Sequence, residues 1–196
     1  MANPPPNSAH PLTRLEWRAW LTENHERAEG VWLVSFKKAT GKSRFDYGEA
    51  VEEALCFGWI DSRPNKLDDE RSLLWFALRK TGTGWSRPNK ERIMRMTELG
   101  QMFPAGLKKI EATKADGSWS ALDEVENLVI PHDLQVSLNS YPNAAKNFSD
   151  FPRSAKRGIL EWVAQARTEA TRSKRIFETA SLAQLNKRAN QWTGPK

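Results

Sequence analysis

The sequence predicts an α+β fold, in which a small N-terminal β-sheet packed with helices is followed by an all-helical C-terminal part. Alternating, β-branched or aromatic segments that are typical of strands occur only before residue 80. After Trp85, helical periodicity and capping signals dominate. The 196 residues, of which 39% are hydrophobic, are enough to bury a core.

Three segments predict the strands. Residues 31–37 alternate in polarity, residues 59–63 begin a second strand, and residues 72–78 form an apolar run bounded by charges. Because both faces of the third segment are apolar, we expect it at the centre of the sheet, covered on each side. Trp32 and Trp75, on these strands, are expected in the core.

Helical signals flank these strands. Residues 15–26 predict a first helix with Leu15 and Ala19 on its inward side, and Trp20 as a further candidate for that side. A second helix is expected to begin at a capping box of Asp46 and Glu49 and to stop at Gly58. Its predicted inward face consists of Ala50, Val51, Ala54 and Leu55. Later helices are predicted to start near Ser86, Pro104, Pro131, Ala144, Ser154 and Glu169.

Composition divides the chain into three regions. Residues 1–13 are rich in Pro, Asn and Ala and are expected to be a flexible tail. Residues 14–120 are predicted as the α+β domain and residues 121–196 as the helical region. An acidic run at 123–126 followed by Pro131 is typical of a connection.

Cysteine and histidine content excludes several classes of site. The single Cys56 cannot form an internal disulfide, and three scattered histidines provide no zinc-like spacing. We therefore expect no metal and no cofactor, with a carboxylate site for magnesium as the alternative that these counts do not address. No run approaches the roughly 18 apolar residues of a membrane span, and no secretory signal is present, so a cytoplasmic location is expected.

Charged and aromatic residues are concentrated between residues 56 and 92. Arg79 leaves a strand just before the helix start at Ser86, where free N–H groups favour anions. The first hypothesis is therefore a pocket for a small anionic or polar ligand. Its predicted lining residues are Trp59, Asp61, Arg79, Trp85, Ser86, Asn89 and Arg92. The structural alternative is an ion pair between Asp61 and Arg79 or Arg92, with Ser86 and Asn89 acting only as caps.

Positive charge supports a second hypothesis. From Phe151 onward ten basic residues face three acidic ones, whereas the preceding residues carry twenty basic and twenty-one acidic residues. Such asymmetry is typical of an anionic partner such as a nucleic acid, but also of solvated helix faces. No recognition motif occurs in these helices. The candidate residues are Lys156, Arg157, Arg172, Lys174 and Arg175, with Arg167, Lys187 and Arg188 beside them.

An enzyme is the third hypothesis. Asp61, His25 and Glu53 are candidate acid–base groups, but no spacing joins them into a dyad or triad. Cys56 lies at the C-terminal end of a helix, which disfavours a thiolate, so we interpret it as a buried structural thiol. The sequence favours binding over catalysis.

Several segments carry a family resemblance. Residues 54–61 read Ala-Leu-Cys-Phe-Gly-Trp-Ile-Asp, and residues 85–92 follow the pattern W-S-x-x-N-x-x-R. Residues 157–162 and 171–176 read R-G-I-L-E-W and T-R-S-K-R-I. With these segments the chain resembles the YdeI/OmpD-associated family of small bacterial proteins from about residue 15 to residue 177. The resemblance implies a role in stress or bacteriocin protection and implies no catalytic mechanism.

Overall fold

The computed structural model describes residues 2–191, which fall into two compact units divided between Ala121 and Leu122. The first unit contains four strands and four α-helices, and helices make up the second. The strands are β1 (Ser8–Ala9), β2 (Val31–Phe36), β3 (Trp59–Lys66) and β4 (Arg71–Leu78). The helices of the first unit are α1 (Arg14–Asn24), α2 (Tyr47–Cys56), α3 (Arg87–Glu98) and α4 (Pro104–Ala115). The predicted α+β class is confirmed.

The sheet has the order β1-β2-β4-β3, with β1 parallel to β2 and the other neighbours antiparallel. The expected central position of β4 is confirmed. Val31 lies opposite Phe76 and Leu33 opposite Leu74, so these four side chains share one face. Val31, Leu33 and Phe76 are buried in a core with residues of α1 and α2, and Leu74 packs against it.

The second face of the sheet is less completely covered. Val34 and Leu73 are buried there, but Trp32 and Trp75 are only half-buried, with ring centroids 5.0 Å apart. The Arg63 guanidinium lies 5.9 Å from each ring. The prediction that both tryptophans lie in the core is therefore wrong. Fully buried tryptophans are Trp17, Trp59 and Trp85.

The N-terminal segment, expected as a flexible tail, contributes a strand to the sheet. Ser8 and Ala9 form β1, and the Trp32 N–H donates to the Asn7 carbonyl at 2.8 Å. Nearer the start, Arg71 Nη2 donates to the Ala2 carbonyl at 2.6 Å. The described part of this segment thus lies along the sheet, because backbone and side-chain donors of the sheet find acceptors in it.

The sequence predicts the buried face of α2 correctly but not that of α1. In α2, Asp46 and Glu49 form the predicted capping box, and the predicted inward face is buried. In α1 the buried residues are Trp17 and Leu21, whereas Leu15 is 79% exposed. The prediction is therefore wrong for Leu15 and Ala19, because burial of a tryptophan removes far more apolar surface than burial of Ala19, whereas Trp20 is partly buried against the core.

Close backbone contact fixes the junction between α2 and α4. Gly58 adopts φ 79° and ends α2 as predicted. A Cβ atom at Gly106 would lie 2.1 Å from the Cys56 carbonyl oxygen, so only glycine fits there. Cys56 itself is buried, and burial together with the negative charge of Glu53 raises the pKa of its thiol to about 11. These facts support the interpretation of a structural thiol.

A buried ion cluster joins α1, α2 and α3. Glu53 accepts from Arg14 and from Arg18, both at 2.6 Å, and Glu52 pairs with Arg14 and Arg95. Glu52 and Glu53 are 8% and 3% exposed, so the arginines compensate carboxylates removed from water. Glu53, a candidate acid–base group in the sequence, is thus occupied in holding helices together.

The second unit is built from helices α5 (Asp123–Glu126), α6 (His132–Asn139), α7 (Ala144–Asp150), α8 (Arg153–Ala164) and α9 (Glu169–Gln184). Its core includes Leu134, Phe148, Ile159 and Ala180, all shielded from solvent, and α6, α7 and α8 each pack on α9. Across residues 2–191, no helix has the length and apolarity that crossing a membrane requires. The described residues also hold no group of three or more His, Cys, Asp or Glu that suits a metal ion.

Candidate functional site

A cavity of about 610 Å³ opens on the helix-facing side of the sheet, next to the segment that connects β2 to α2. Apolar residues Leu33, Phe45, Ala50 and Leu74 form part of its lining. Its polar lining comes from hydroxyl, carboxyl, amide and basic groups. These polar residues are Ser35, Lys37, Lys38, Arg44, Asp46, Tyr47, Asp61, Ser62, Asn65 and Ser72. We name this cavity the Tyr47–Asp61 pocket.

Two local features position the pair that gives the pocket its name. The capping box starts α2 at Tyr47, directly after Asp46. In β3 the register shifts by one residue between Asp61 and Pro64, because Asp61 lies opposite Phe76 and Pro64 opposite Leu74. Tyr47 Oη donates a hydrogen bond to Asp61 Oδ2 at 2.9 Å.

The environment keeps the Tyr47 phenol protonated. Tyr47 is about half exposed, and partial removal of water from its phenol raises the pKa of Tyr47. The hydrogen bond and negative charge of Asp61 raise this pKa further, while the charge of Arg92 opposes them. Tyr47 therefore remains a donor at neutral pH. Asp61 Oδ1 accepts no hydrogen bond from any of residues 2–191, so this oxygen has capacity for a ligand donor.

The mouth of the pocket has an excess of positive charge. Lys37, Lys38 and Arg44 line it, together with two carboxylates, Asp46 and Asp61. Lys37 Nζ donates to the backbone carbonyls of residues 68 and 69 at 2.8 and 3.0 Å. Lys38 and Arg44 are exposed and, within the described part of the chain, pair with no carboxylate. An anionic ligand would find two available cations here.

Two of the predicted ligand-binding residues form a sealed cation–π pair instead. Arg79 Cζ lies 3.8 Å from the centroid of the Trp85 ring, and Arg79 Nη2 donates to the carbonyls of Thr83 and Gly84. Arg79 and Trp85 are only 4% and 1% exposed, and burial lowers the pKa of Arg79 to about 10. The Trp119 ring packs against Trp85, with the two ring centroids 5.2 Å apart.

The remaining predicted residues are distributed over three environments. Trp59 is buried and its Nε1 donates to the His25 carbonyl at 2.9 Å. Arg92 donates to Asn89 Oδ1 at 3.0 Å along one side of α3. Ser86 is the N-cap of α3, with no capping hydrogen bond from its side chain.

The seven predicted residues therefore do not assemble into one pocket. Asp61 lies opposite Phe76, whereas Arg79 follows the end of β4, where its N–H donates to the Gly58 carbonyl at 3.0 Å. The two charges are separated along the strand pair, and among residues 2–191 Asp61 forms no ion pair with Arg79 or Arg92. The charge of Arg92 still influences Tyr47, which places Arg92 and Asp61 near the same phenol.

Most of the basic residues that were predicted to contact a nucleic acid form hydrogen bonds or ion pairs within the second unit. Arg157 pairs with Glu126 and Glu161, both at 2.9 Å, and Arg172 pairs with Asp133 at 2.6 Å. In the same unit Arg175 donates to the Trp162 carbonyl, and Lys156 donates to the Ser149 carbonyl at 2.9 Å. Lys174 is exposed. The ion pairs of Arg157 and Arg172 offset part of the positive charge that a nucleic acid would meet, whereas Arg175 and Lys156 keep their charges and lose only part of their freedom to donate elsewhere.

Sequence reasoning missed several residues of the Tyr47–Asp61 pocket. Tyr47 directly follows the predicted capping residue Asp46, so its position at the helix start was readable. The alternation from Val31 likewise places Leu33 and Ser35 on one face. No local signal joined either segment to Asp61, because that contact depends on strand order and on the register shift in β3.

The architecture is that of an α+β N-terminal unit with an open polar pocket, joined in sequence to a helical unit. Residues 9–109, more than half of the chain, match the family model described as "Domain of unknown function (DUF8412)", and the chain belongs to that family. Residues 127–186 match the model "Bacteriocin-protection, YdeI or OmpD-Associated", which confirms that resemblance. No curated protein and no solved structure matches the chain.

The two matches correct the extent of the predicted resemblance. The motifs at residues 54–61 and 85–92 fall within the first match, and the motifs at 157–162 and 171–176 fall within the second. The YdeI/OmpD-associated assignment therefore applies to the C-terminal region, whereas the pocket lies in the region of the first family model.

Proposed function

We propose that this protein binds a small polar or anionic ligand in the Tyr47–Asp61 pocket. The observation that carries the proposal is a Tyr–Asp hydrogen bond inside a cavity of about 610 Å³ with unpaired cations at its mouth. Small-molecule sites usually have volumes of about 300–1,000 Å³ and combine apolar walls with a few polar groups. The cavity has both properties.

The arrangement specifies the chemistry of the ligand. An anionic group would contact Arg44 and Lys38, which have no carboxylate partner among residues 2–191. A hydroxyl or amine at the other end would donate to Asp61. The connecting carbon skeleton would pack on apolar side chains of the lining, such as Leu33 and Leu74. Hydroxy acids, amino acids and sugar phosphates have this combination of groups.

The proposed cellular role is stress or bacteriocin protection in a bacterial cytoplasm. The description of the family model that matches residues 127–186 supports the role. The cytoplasmic location is supported by the single, buried Cys56, which forms no internal disulfide. Binding in the pocket would link this role to the level of a metabolite.

Two other hypotheses receive less support. An enzyme would need acid–base groups in one place, but Glu53 is bound to arginines and His25 lines a different cavity from Asp61. A nucleic-acid-binding surface would use Lys156, Arg157, Arg172, Lys174 and Arg175, several of which are engaged within their own unit. Ligand binding without turnover fits the pocket better.

A thermal-shift screen of hydroxy acids, amino acids and sugar phosphates tests the proposal. A ligand that binds only the folded state raises the melting temperature. We expect at least one compound to stabilise the protein, with its affinity then measured by isothermal titration calorimetry. Asp61→Asn and Arg44→Ala should each weaken binding by about tenfold, because each removes a charged hydrogen-bonding partner.

Lys80→Ala is the matched control. Lys80 is an exposed cation of the same unit that lies outside the pocket lining, so the control variant should bind like the wild type. Equal loss of affinity in Lys80→Ala and Arg44→Ala would assign the effect to overall charge and contradict the proposed site.

A further inference from the structure

A second cavity, of about 720 Å³, lies where α1 and α2 end and α4 begins. It shares no lining residue with the Tyr47–Asp61 pocket. Most of its walls are apolar, and the remaining lining residues are Gly58, His25 and three charged residues. The apolar lining consists of Phe57, Leu78, Phe103, Pro104, Ala105 and Ala112.

Three rings form one side of this cavity. Phe57 and Phe103 are stacked with centroids 4.7 Å apart, and the His25 ring meets Phe103 edge-on at 4.8 Å. His25 Nδ1 lies 3.0 Å from the Thr22 carbonyl oxygen. Because a carbonyl only accepts, Nδ1 donates, and in the neutral imidazole Nε2 is an acceptor.

The backbone around the rings is fixed before any ligand arrives. The Phe103 N–H donates to the Cys56 carbonyl at 3.1 Å, and Gly106 packs directly on that carbonyl group. A Cβ atom at Gly58 would touch Lys109 Cβ at 3.4 Å, so β3 begins in close contact with α4. A rigid wall of this kind lowers the entropic cost of binding.

The charged residues of the lining are Lys108, Lys109 and Glu26, which leave one net positive charge. Neither lysine forms a salt bridge with a carboxylate of residues 2–191. A monoanion would balance this net charge, whereas a dianion would leave an excess of negative charge beside Glu26.

We propose that this cavity is a second binding site, which takes an organic monoanion with a flat apolar body, such as an aromatic carboxylate. The rings and aliphatic walls bind the body, and Lys108 and Lys109 bind the anionic group. The site differs from the Tyr47–Asp61 pocket in its ligand, which needs no hydroxyl or amine. It is independent of the proposed function.

Two fluorescent probes of similar shape test the proposal. One is the monoanion 8-anilinonaphthalene-1-sulfonate, and the other is the neutral N-phenyl-1-naphthylamine. We expect the anion to bind the full-length wild-type protein about fivefold to tenfold more tightly, because two lysines attract only the anion. The amide NMR signals of Gly58 and Ala105, at the cavity wall, should shift on titration.

The Lys108→Ala/Lys109→Ala double variant should lose this preference for the anion and keep its affinity for the neutral probe. Lys114→Ala is the control, because Lys114 lies on the same helix and outside this cavity. The proposal is overturned if both probes bind wild type equally, or if the double variant keeps the preference. It is also overturned if the anion shifts the signals of Ser35 and Asp61 instead of those of Gly58 and Ala105.

Discussion

The Arg79–Trp85 pair and the Tyr47–Asp61 pair each combine a charged group with an aromatic ring, but only the second is open to a ligand. Arg79 and Trp85 are sealed in the first unit, where the Arg79 guanidinium contacts the ring and donates through Nη2 to backbone carbonyls. Arg79 Nε and Trp85 Nε1 find no partner among residues 2–191, but both atoms are buried. Tyr47 is exposed, and Asp61 retains an oxygen without a donor among residues 2–191. We therefore propose a binding site where hydrogen-bonding capacity is unused at a surface, and not wherever charged and aromatic residues meet.

The largest expected effect on stability comes from Glu53, the buried carboxylate of the ion cluster that joins α1, α2 and α3. Glu53→Gln should lower the free energy of unfolding by about 3 kcal/mol, because it leaves Arg14 and Arg18 facing a neutral amide. Urea denaturation followed by circular dichroism measures the change. Glu70→Gln, which alters an exposed pair with Lys42, should cost about 0.5 kcal/mol or less. Equal costs for both substitutions would show that burial does not determine the role of these carboxylates.

Arg79→Ala is expected to destabilise the protein by about 2 kcal/mol, the typical contribution of a desolvated cation–π contact. Lys80→Ala, at the exposed neighbouring position, should change the stability by less than about 0.5 kcal/mol. Chemical denaturation of the two variants provides the comparison. If the Arg79→Ala variant were as stable as the wild type, the structural role that we assign to Arg79 would be contradicted.

Asp61→Asn should have a small effect on stability, within about 0.5 kcal/mol, because Asp61 is partly exposed and its amide replacement can still accept from Tyr47. The same denaturation experiment measures it. A loss as large as that of Arg79→Ala would show that the Tyr47–Asp61 pair is part of the structural framework.

The smallest expected effect is a change in titration at alkaline pH. Since the folded state raises the pKa of Tyr47 above 10.0, its usual value, the unfolded chain releases this proton at lower pH. Stability should therefore decline as the pH rises above about 10. Asp61→Asn should lower the pKa of Tyr47 and weaken this decline, without abolishing it, because burial is the larger cause.

Absorbance at 295 nm follows the phenol directly. The chain has two tyrosines, so Tyr141→Phe isolates the signal of Tyr47. If Tyr141→Phe and the double variant Tyr141→Phe/Asp61→Asn gave identical titration curves, the hydrogen bond between Tyr47 and Asp61 would be contradicted.

Much of the fold was readable because its signals are local. The capping box at Asp46, the stop at Gly58 and the central apolar strand each depend on a few consecutive residues. The inward face of α1 could not be predicted in this way, because Leu15 and Trp17 compete for one core and only the packing decides between them. The prediction that Trp32 and Trp75 lie in the core was wrong for the same reason, since strand alternation does not say which face of the sheet is covered.

The site was only partly readable for a different reason. Asp61 was predicted as a pocket residue and lies in one, but its partner is Tyr47 and not an arginine. Arg79 was assigned to the same pocket because it leaves a strand just before the helix start at Ser86. Strand pairing places the two apart, and a register shift cannot be read from residue types.

The most direct test of the central claim is calorimetric titration of the strongest compound from the metabolite screen into wild type, Asp61→Asn and Arg79→Lys. The account predicts that Asp61→Asn loses about tenfold in affinity while its melting temperature is unchanged. Arg79→Lys should melt earlier and yet bind with the wild-type affinity when it is titrated well below its melting temperature. Unchanged affinity in Asp61→Asn, together with weakened binding by folded Arg79→Lys, would contradict the account.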